Sequence, residues 1–188
     1  MTELCVGILV GGAATRMGGV AKALLRTADG RTVLERVLHE VASAAPGASV
    51  VLLGNRQEYA ALGLPQLADD PSGVGPLGGL RTLLRTNASQ CLLLGGDTPY
   101  LEASLIARML AAPCDAAVSV KTGNPPLWNP MLSRYRAHLA LPAVEAQLAA
   151  GRYGLYALLD RLNASCLALD ERETHSLRDW DTPADLRR

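Results

Sequence analysis

The chain has little of what several large protein classes require. Its 18 Lys and Arg are balanced by 18 Asp and Glu. No cluster of five basic residues occurs, so there is no electrostatic footprint for nucleic acid and any anion must be held locally. Apolar runs such as Leu92 to Leu94 fall far short of the roughly 20 residues that span a bilayer. Met1-Thr2-Glu3 lacks the basic start of a signal peptide, so a cytoplasmic protein without a membrane partner is expected.

The 4 cysteines, Cys5, Cys91, Cys114 and Cys166, contain no CxxC pair, and the 3 histidines, His39, His138 and His175, contain no HExxH. A zinc site or a disulfide framework is therefore disfavoured. Each cysteine lies inside or beside an apolar run and is expected to be a buried, reduced thiol. The histidines are expected on the surface or on helix faces.

What remains is a chain of 188 residues, 49% hydrophobic and 19% charged, which suits one domain with a substantial core. Short apolar runs at Leu4 to Val10, Val50 to Leu53, Cys91 to Leu94, Ala116 to Val120 and Cys166 to Leu169 read as buried parallel strands. Between the first two, Val33, Leu34, Val37, Leu38 and Val41 trace the core face of a helix that ends before Pro46-Gly47. Leu80 to Leu84, Leu101 to Leu110, Ala143 to Ala149 and Tyr156 to Leu162 read as further helices. The alternation predicts an α/β fold, a three-layer sandwich around a mostly parallel sheet. The loops after Val10, Leu53, Leu94 and Val120 should then line one site at the carboxyl edge. Asn124 to Pro130 reads as an irregular proline-rich insertion over it.

The stretch Ile8 to Leu25, ILVGGAATRMGGVAKALL, carries the chemistry. Gly11 and Gly12 directly after a strand, Gly18 and Gly19 beyond them, and Arg16 and Lys22 describe a cradle for a polyphosphate. It is not a Walker A loop, because no Gly-Lys-Ser/Thr follows. Gly73-Val74-Gly75-Pro76-Leu77-Gly78 matches GxGxxG literally, but the segment before it is a poor strand and Pro76 removes a backbone donor, so a nicotinamide-dinucleotide site is the weaker alternative. In Leu92 to Leu101, Asp97 stands just past a buried strand. It is placed either to cap the next helix or, beside a polyphosphate loop, to hold Mg²⁺.

These residues resemble a known family. Ile8 to Leu25 is similar to the LAGGxSxRMGxDKxLL signature of the MobA-like nucleotidyltransferases. Asp70 to Leu80 resembles their GPLxG segment, Leu93 to Leu101 their CDxPxL segment, and Trp180 to Leu186 their NxNTPEDL. The resemblance implies a Rossmann-like fold of the nucleotide-diphospho-sugar transferase type. It further implies a nucleotide-binding half at about 1–100 and an acceptor-binding half at about 101–188. The implied reaction joins GTP to the molybdopterin cofactor, giving its guanine dinucleotide form and pyrophosphate. Gly11, Gly12, Arg16 and Lys22, with Leu9 beside them, would hold the nucleotide; Asp97 would hold magnesium; Asn55, Asp70 and Gly78 would lie around base and ribose. Transient contact with proteins that deliver or receive the cofactor is implied as well.

Val10-Gly11-Gly12 keeps the glycine pair of guanine users, whereas relatives that use CTP have LAAG; a CTP or sugar-phosphate enzyme is the alternative. Ala21, Gly96 and Asp181 depart from the family's Asp, Cys and Asn, and Asp181 bears on the acceptor. An acceptor phosphate is ionised at neutral pH, so its attack on the α-phosphorus needs no general base. Asn124, Trp128 and Arg152 are candidates for the acceptor side.

Overall fold

The short aliphatic runs become the centre of a seven-stranded sheet in the computed structural model, which describes residues 3–10 and 21–178. The strands are β1 (Leu4–Leu9), β2 (Ser49–Leu53), β3 (Gln66–Leu67), β4 (Gln90–Gly95), β5 (Ala117–Thr122), β6 (Leu127–Arg136) and β7 (Ser165–Leu167). Their order is β3-β2-β1-β4-β6-β5-β7, and β6 alone runs antiparallel to its neighbours. The helices are α1 (Val33–Ala44), α2 (Pro76–Leu84), α3 (Ala103–Ala111), α4 (Ala137–Ala149), α5 (Leu155–Arg161) and α6 (Glu171–Ser176). This is the three-layer α/β sandwich with a mostly parallel sheet.

Alternation along the strands divides the core into two layers. Val6, Ile8, Leu92 and Leu94 pack with Leu34, Val37, Ile106 and Met109 on the α1 and α3 side. Cys5, Leu53, Cys91 and Leu93 pack with Leu77, Leu80, Leu83, Val144 and Leu158 on the α2, α4 and α5 side. The helix α1 starts at a capping box, in which Thr32 Oγ1 accepts from Glu35 N at 3.1 Å and Glu35 Oε2 accepts from Thr32 N at 2.6 Å.

Several elements differ from expectation. Asn124 to Pro130 is not an irregular insertion throughout, since β6 begins at Leu127 and continues to Arg136. Pro130 is tolerated because the β5–β6 register jumps between Ser119 and Val120, so that it falls in a bulge where no ladder donor is needed. The helix α2 starts four residues before Leu80, with Pro76 in its first turn, where a missing N–H costs nothing. The helix α4 extends through Pro142, and α6 was not anticipated. Cys5, Cys91 and Cys114 are buried thiols, but Cys166 is exposed because β7 is an edge strand. Among the described residues no helix is long and apolar enough to cross a membrane.

One buried cation ties the layers together. Arg134, on β6 and 6% exposed, donates through Nη1 to Gln90 Oε1 at 2.9 Å and Leu110 O at 2.6 Å, and through Nη2 to Ala112 O. It thus covers the carboxyl end of α3, where carbonyls lack helical partners and positive charge is favoured. Replacing it with methionine keeps the packing of the stem but strands these acceptors. Arg134→Met should lower stability by about 2–3 kcal/mol in urea unfolding; an unchanged midpoint would show that the acceptors find water instead.

Candidate functional site

The parallel strands β1, β2 and β4 end together, and a cavity of about 490 Å³ opens at their carboxyl edge. Leu9 and Val10 line it from β1, Lys22 from the short 3-10 turn Lys22–Leu24, Arg56 and Tyr59 from beyond β2, and Gly95, Gly96 and Asp97 from the end of β4. Asp69, Gly73, Gly75 and Pro76 close the side that leads into α2. The loops after three different strands therefore meet at one site, as the sheet topology requires.

At two glycines main chain meets main chain closely. A Cβ on Gly96 would stand 2.8 Å from Leu9 O, and one on Gly78 would stand 2.6 Å from Pro71 O. The first lets β4 close against β1 immediately before Asp97. The second lets the 69–74 loop lie on α2, so Gly78 is buried under that loop and does not line the cavity.

Of the residues singled out from sequence, Leu9, Lys22 and Asp97 converge on this cavity. Asp97 is half-buried and is not the cap of α3, whose N-cap residue is Glu102 and whose Ala103 N–H is taken by Glu40 Oε2 at 2.8 Å. Asn55 is exposed beside the cavity, while its neighbour Arg56 lines it. Asp70 faces the outside, paired with Arg81 at 2.5 Å and Arg85 at 3.4 Å; the adjacent Asp69 is the carboxylate that lines the cavity. Gly11, Gly12 and Arg16 lie outside the described residues, as do Trp180 and Asp181. The three histidines are exposed.

Sequence reasoning missed Asp69, Arg56 and Tyr59. Tyr59 is buried, and its hydroxyl donates to Val10 O at 3.4 Å, which connects the turn after β2 to the end of β1. Asp69 leans on the glycine pair of α2, where a Cβ on Gly79 would stand 3.1 Å from its Oδ1. Burial pushes its carboxyl above the usual carboxylate range. The sequence offered two adjacent aspartates a few residues before GPLGG, and nothing in it told which one faces inward.

GxGxxG at Gly73 to Gly78 follows the two-residue edge strand β3, and eight residues separate that strand from α2. The tight strand-to-helix turn of a dinucleotide site is not formed there.

A second cavity, of about 770 Å³, adjoins the first. It shares Pro76, Asp97 and Met131 with it and is walled by Leu127, Trp128 and Asn129 of β6 and by Tyr153 and Tyr156 around the start of α5. Trp128 Nε1 donates to Asp160 Oδ1 at 2.7 Å, and Lys121 Nζ lies 4.4 Å from its ring centre. Asn124 and Arg152, also candidates from sequence, do not line this cavity.

Residues 6–166 match the MobA-like NTP transferase domain family. The chain is 38% identical over 120 residues to the molybdenum cofactor guanylyltransferase of Acidiphilium cryptum, a match covering 61% of each protein. It is 37% identical over 110 residues to the protein of the same name from Shewanella loihica, covering 56% of this chain and 54% of the relative. The match thus spans less than two thirds of the length of either relative. The crystal structure of the molybdopterin-guanine dinucleotide biosynthesis protein A of Archaeoglobus fulgidus superposes with a TM-score of 0.74 at 23% identity, over 97% of this chain and 95% of that one. Solved nucleotidyltransferases therefore share the fold.

The raised carboxyl of Asp69 has a measurable effect on stability. A group whose folded value lies above its unfolded one stabilises the fold below the unfolded value, and that contribution is lost as pH rises through the folded value. Asp69→Asn should accordingly raise the urea midpoint at pH 7, with the gain vanishing by about pH 3. A gain independent of pH, or a loss at pH 7, would contradict the burial argument.

Proposed function

The chain belongs to the MobA-like NTP transferase domain family, and on that premise we propose that it transfers GMP from GTP to the molybdopterin cofactor, forming the guanine dinucleotide cofactor and releasing pyrophosphate. One observation carries this reading. Two cavities, each large enough for a substrate, adjoin, and Asp97 is the charged residue common to both. The first cavity takes GTP and the second the acceptor, so their phosphates meet at Asp97.

The base is favoured by Asp69. A carboxylate only accepts hydrogen bonds, and guanine offers the adjacent donors N1–H and N2–H. Cytosine and adenine place a ring-nitrogen acceptor beside their amino donor, which a carboxylate would repel. Asp69 therefore supports GTP over CTP and ATP.

Lys22, which lines the same cavity, with Arg16 and the amides of Gly11 and Gly12, would hold the triphosphate. A phosphate oxygen of the acceptor bonds to the α-phosphorus of GTP as the bond from that phosphorus to the bridging oxygen breaks, and pyrophosphate departs with the electron pair. The nucleophile is already ionised, so no proton has to be removed, in keeping with histidines that are all exposed. The residues also fit Mg²⁺. This ion is typically held by one or two carboxylates plus substrate phosphates, and Asp97 supplies such a carboxylate where the two cavities adjoin. Bound there, Mg²⁺ would neutralise phosphate charge.

Pyrophosphate release from GTP and the molybdopterin cofactor tests the assignments. Lys22→Ala should slow turnover by about a hundredfold with an unchanged urea midpoint, and normal turnover would remove Lys22 from the chemistry. Asp69→Asn should lower the preference for GTP over ATP by about tenfold or more, whereas Asp70→Asn should leave it intact. The reverse pattern would return the base-reading role to Asp70.

A further inference from the structure

The described structure has four strongly exposed large apolar side chains, Leu127, Leu139, Tyr153 and Tyr156, and three of them line the second cavity. Leu127 is 61% exposed, Tyr153 46% and Tyr156 52%. Apolar and aromatic side chains left open to water and gathered around one concavity mark a binding surface. This one is continuous with the nucleotide cavity through Asp97, so its occupant presents its reactive end there.

Three polar side chains of the same wall are already engaged, while Thr122 and Arg178 also line it. Thr98 Oγ1 donates to Gly95 O at 3.2 Å, Thr174 Oγ1 donates to Asp170 O at 2.8 Å, and Asn129 Oδ1 accepts from Met131 N at 3.1 Å. The large side chains left open on this wall are aliphatic or aromatic, and they offer a flat ring more contact area than a hydroxyl-rich sugar. The two tyrosines are also held in place. The buried Gln147 donates through Nε2 to Gly154 O at 2.9 Å and accepts Arg152 N–H on its backbone carbonyl at 3.0 Å, which ties down the loop carrying Tyr153. Tyr156 lies in the first turn of α5, whose Leu155, Leu158 and Leu159 are buried and whose Asp160 holds Trp128.

We infer that Tyr153 and Tyr156, with Leu127, determine acceptor specificity by packing against a planar heterocyclic ring whose phosphate points to Asp97, and that they discriminate against sugar phosphates. This inference rests on the guanylyltransferase reading of the site. It adds the residues that recognise the acceptor ring, a role that neither the glycine loop nor Asp97 can fill. The ring packs face-on or edge-on against the phenols, and the phosphate remains in the polar junction.

The test is calorimetric titration with 6-hydroxymethylpterin monophosphate and with glucose 1-phosphate, each with and without a non-hydrolysable GTP analogue and Mg²⁺. The native chain should bind the pterin phosphate at least tenfold more tightly than the sugar phosphate. The double variant Tyr153→Ala, Tyr156→Ala should lose about tenfold in affinity for the pterin phosphate, and nothing for the sugar phosphate or the nucleotide. The double variant Tyr153→Phe, Tyr156→Phe should keep the affinity, because the rings and not the hydroxyls do the binding. Equal affinity for the two phosphates, or a double alanine variant that binds the pterin phosphate normally, overturns the inference. Failure of the nucleotide analogue to bind counts against the guanylyltransferase reading and not against the tyrosines, whose effect is read without nucleotide as well.

Discussion

Two backbone hydrogen bonds beyond the end of β1 hold the site together. Val10 N donates to Leu53 O at 3.1 Å, and Gly96 N donates to Leu9 O at 3.0 Å. They continue the registers of β2 and β4 past the last paired residues, so three strand ends stay side by side where the chain would otherwise diverge. The second bond brings the main chains so close that a Cβ on Gly96 would stand 2.8 Å from Leu9 O, and a larger residue there would require the strand ends to shift. A similar constraint acts below. A Cβ on Gly7 would stand 2.7 Å from Leu83 Cδ2 and 2.8 Å from Leu53 Cδ1, so α2 sits close on the sheet because β1 lacks a side chain there. That close seat brings Gly75 and Pro76 at the start of α2, and the loop carrying Asp69, to the cavity rim.

The second half of the chain solves a different problem. A parallel strand beside β4 would direct its own carboxyl end to the cavity edge; β6, being antiparallel, enters there with Leu127 and Trp128 and leaves at Arg136. Its entering end is bulged just after Asn129, which pairs with Val120; Pro130 and Met131 are freed from the β5 ladder, and all three residues form cavity wall. Trp128 then links this wall to α5 through Asp160. At its far end, Arg134 and Ser133 are buried, the latter donating to Ser119 Oγ at 2.8 Å. The strand is thus fastened in the core at one end and shaped for ligand at the other.

Much of this was legible in the chain. The central strands announced themselves as runs of Val, Leu and Ile, and α1 as a clean 3.6-residue period, because burial on both sheet faces and on one helix face leaves those patterns. Lys22 and Asp97 were legible because a strand followed by glycine and a charged residue has few other uses. β6 was hidden by Pro130 and by the turn before it, and only the tertiary bulge makes that proline acceptable. Asp69 and Asp70 could not be separated from sequence, since which one faces inward depends on how the 69–74 loop lies over Gly78 and Gly79. Tyr153 and Tyr156 carried no local signal, because exposure is a property of the assembled surface.

The central claim is that the first cavity selects guanine and does so with magnesium at Asp97. Calorimetric titration of the full chain with GTP, CTP, ATP and NAD, each with and without Mg²⁺, tests it most directly. The account predicts that GTP binds most tightly, that binding depends on Mg²⁺, and that the dependence is absent in Asp97→Ala. Tighter binding of CTP would make the protein a cytidylyltransferase, and binding of NAD alone would contradict the nucleotide site itself.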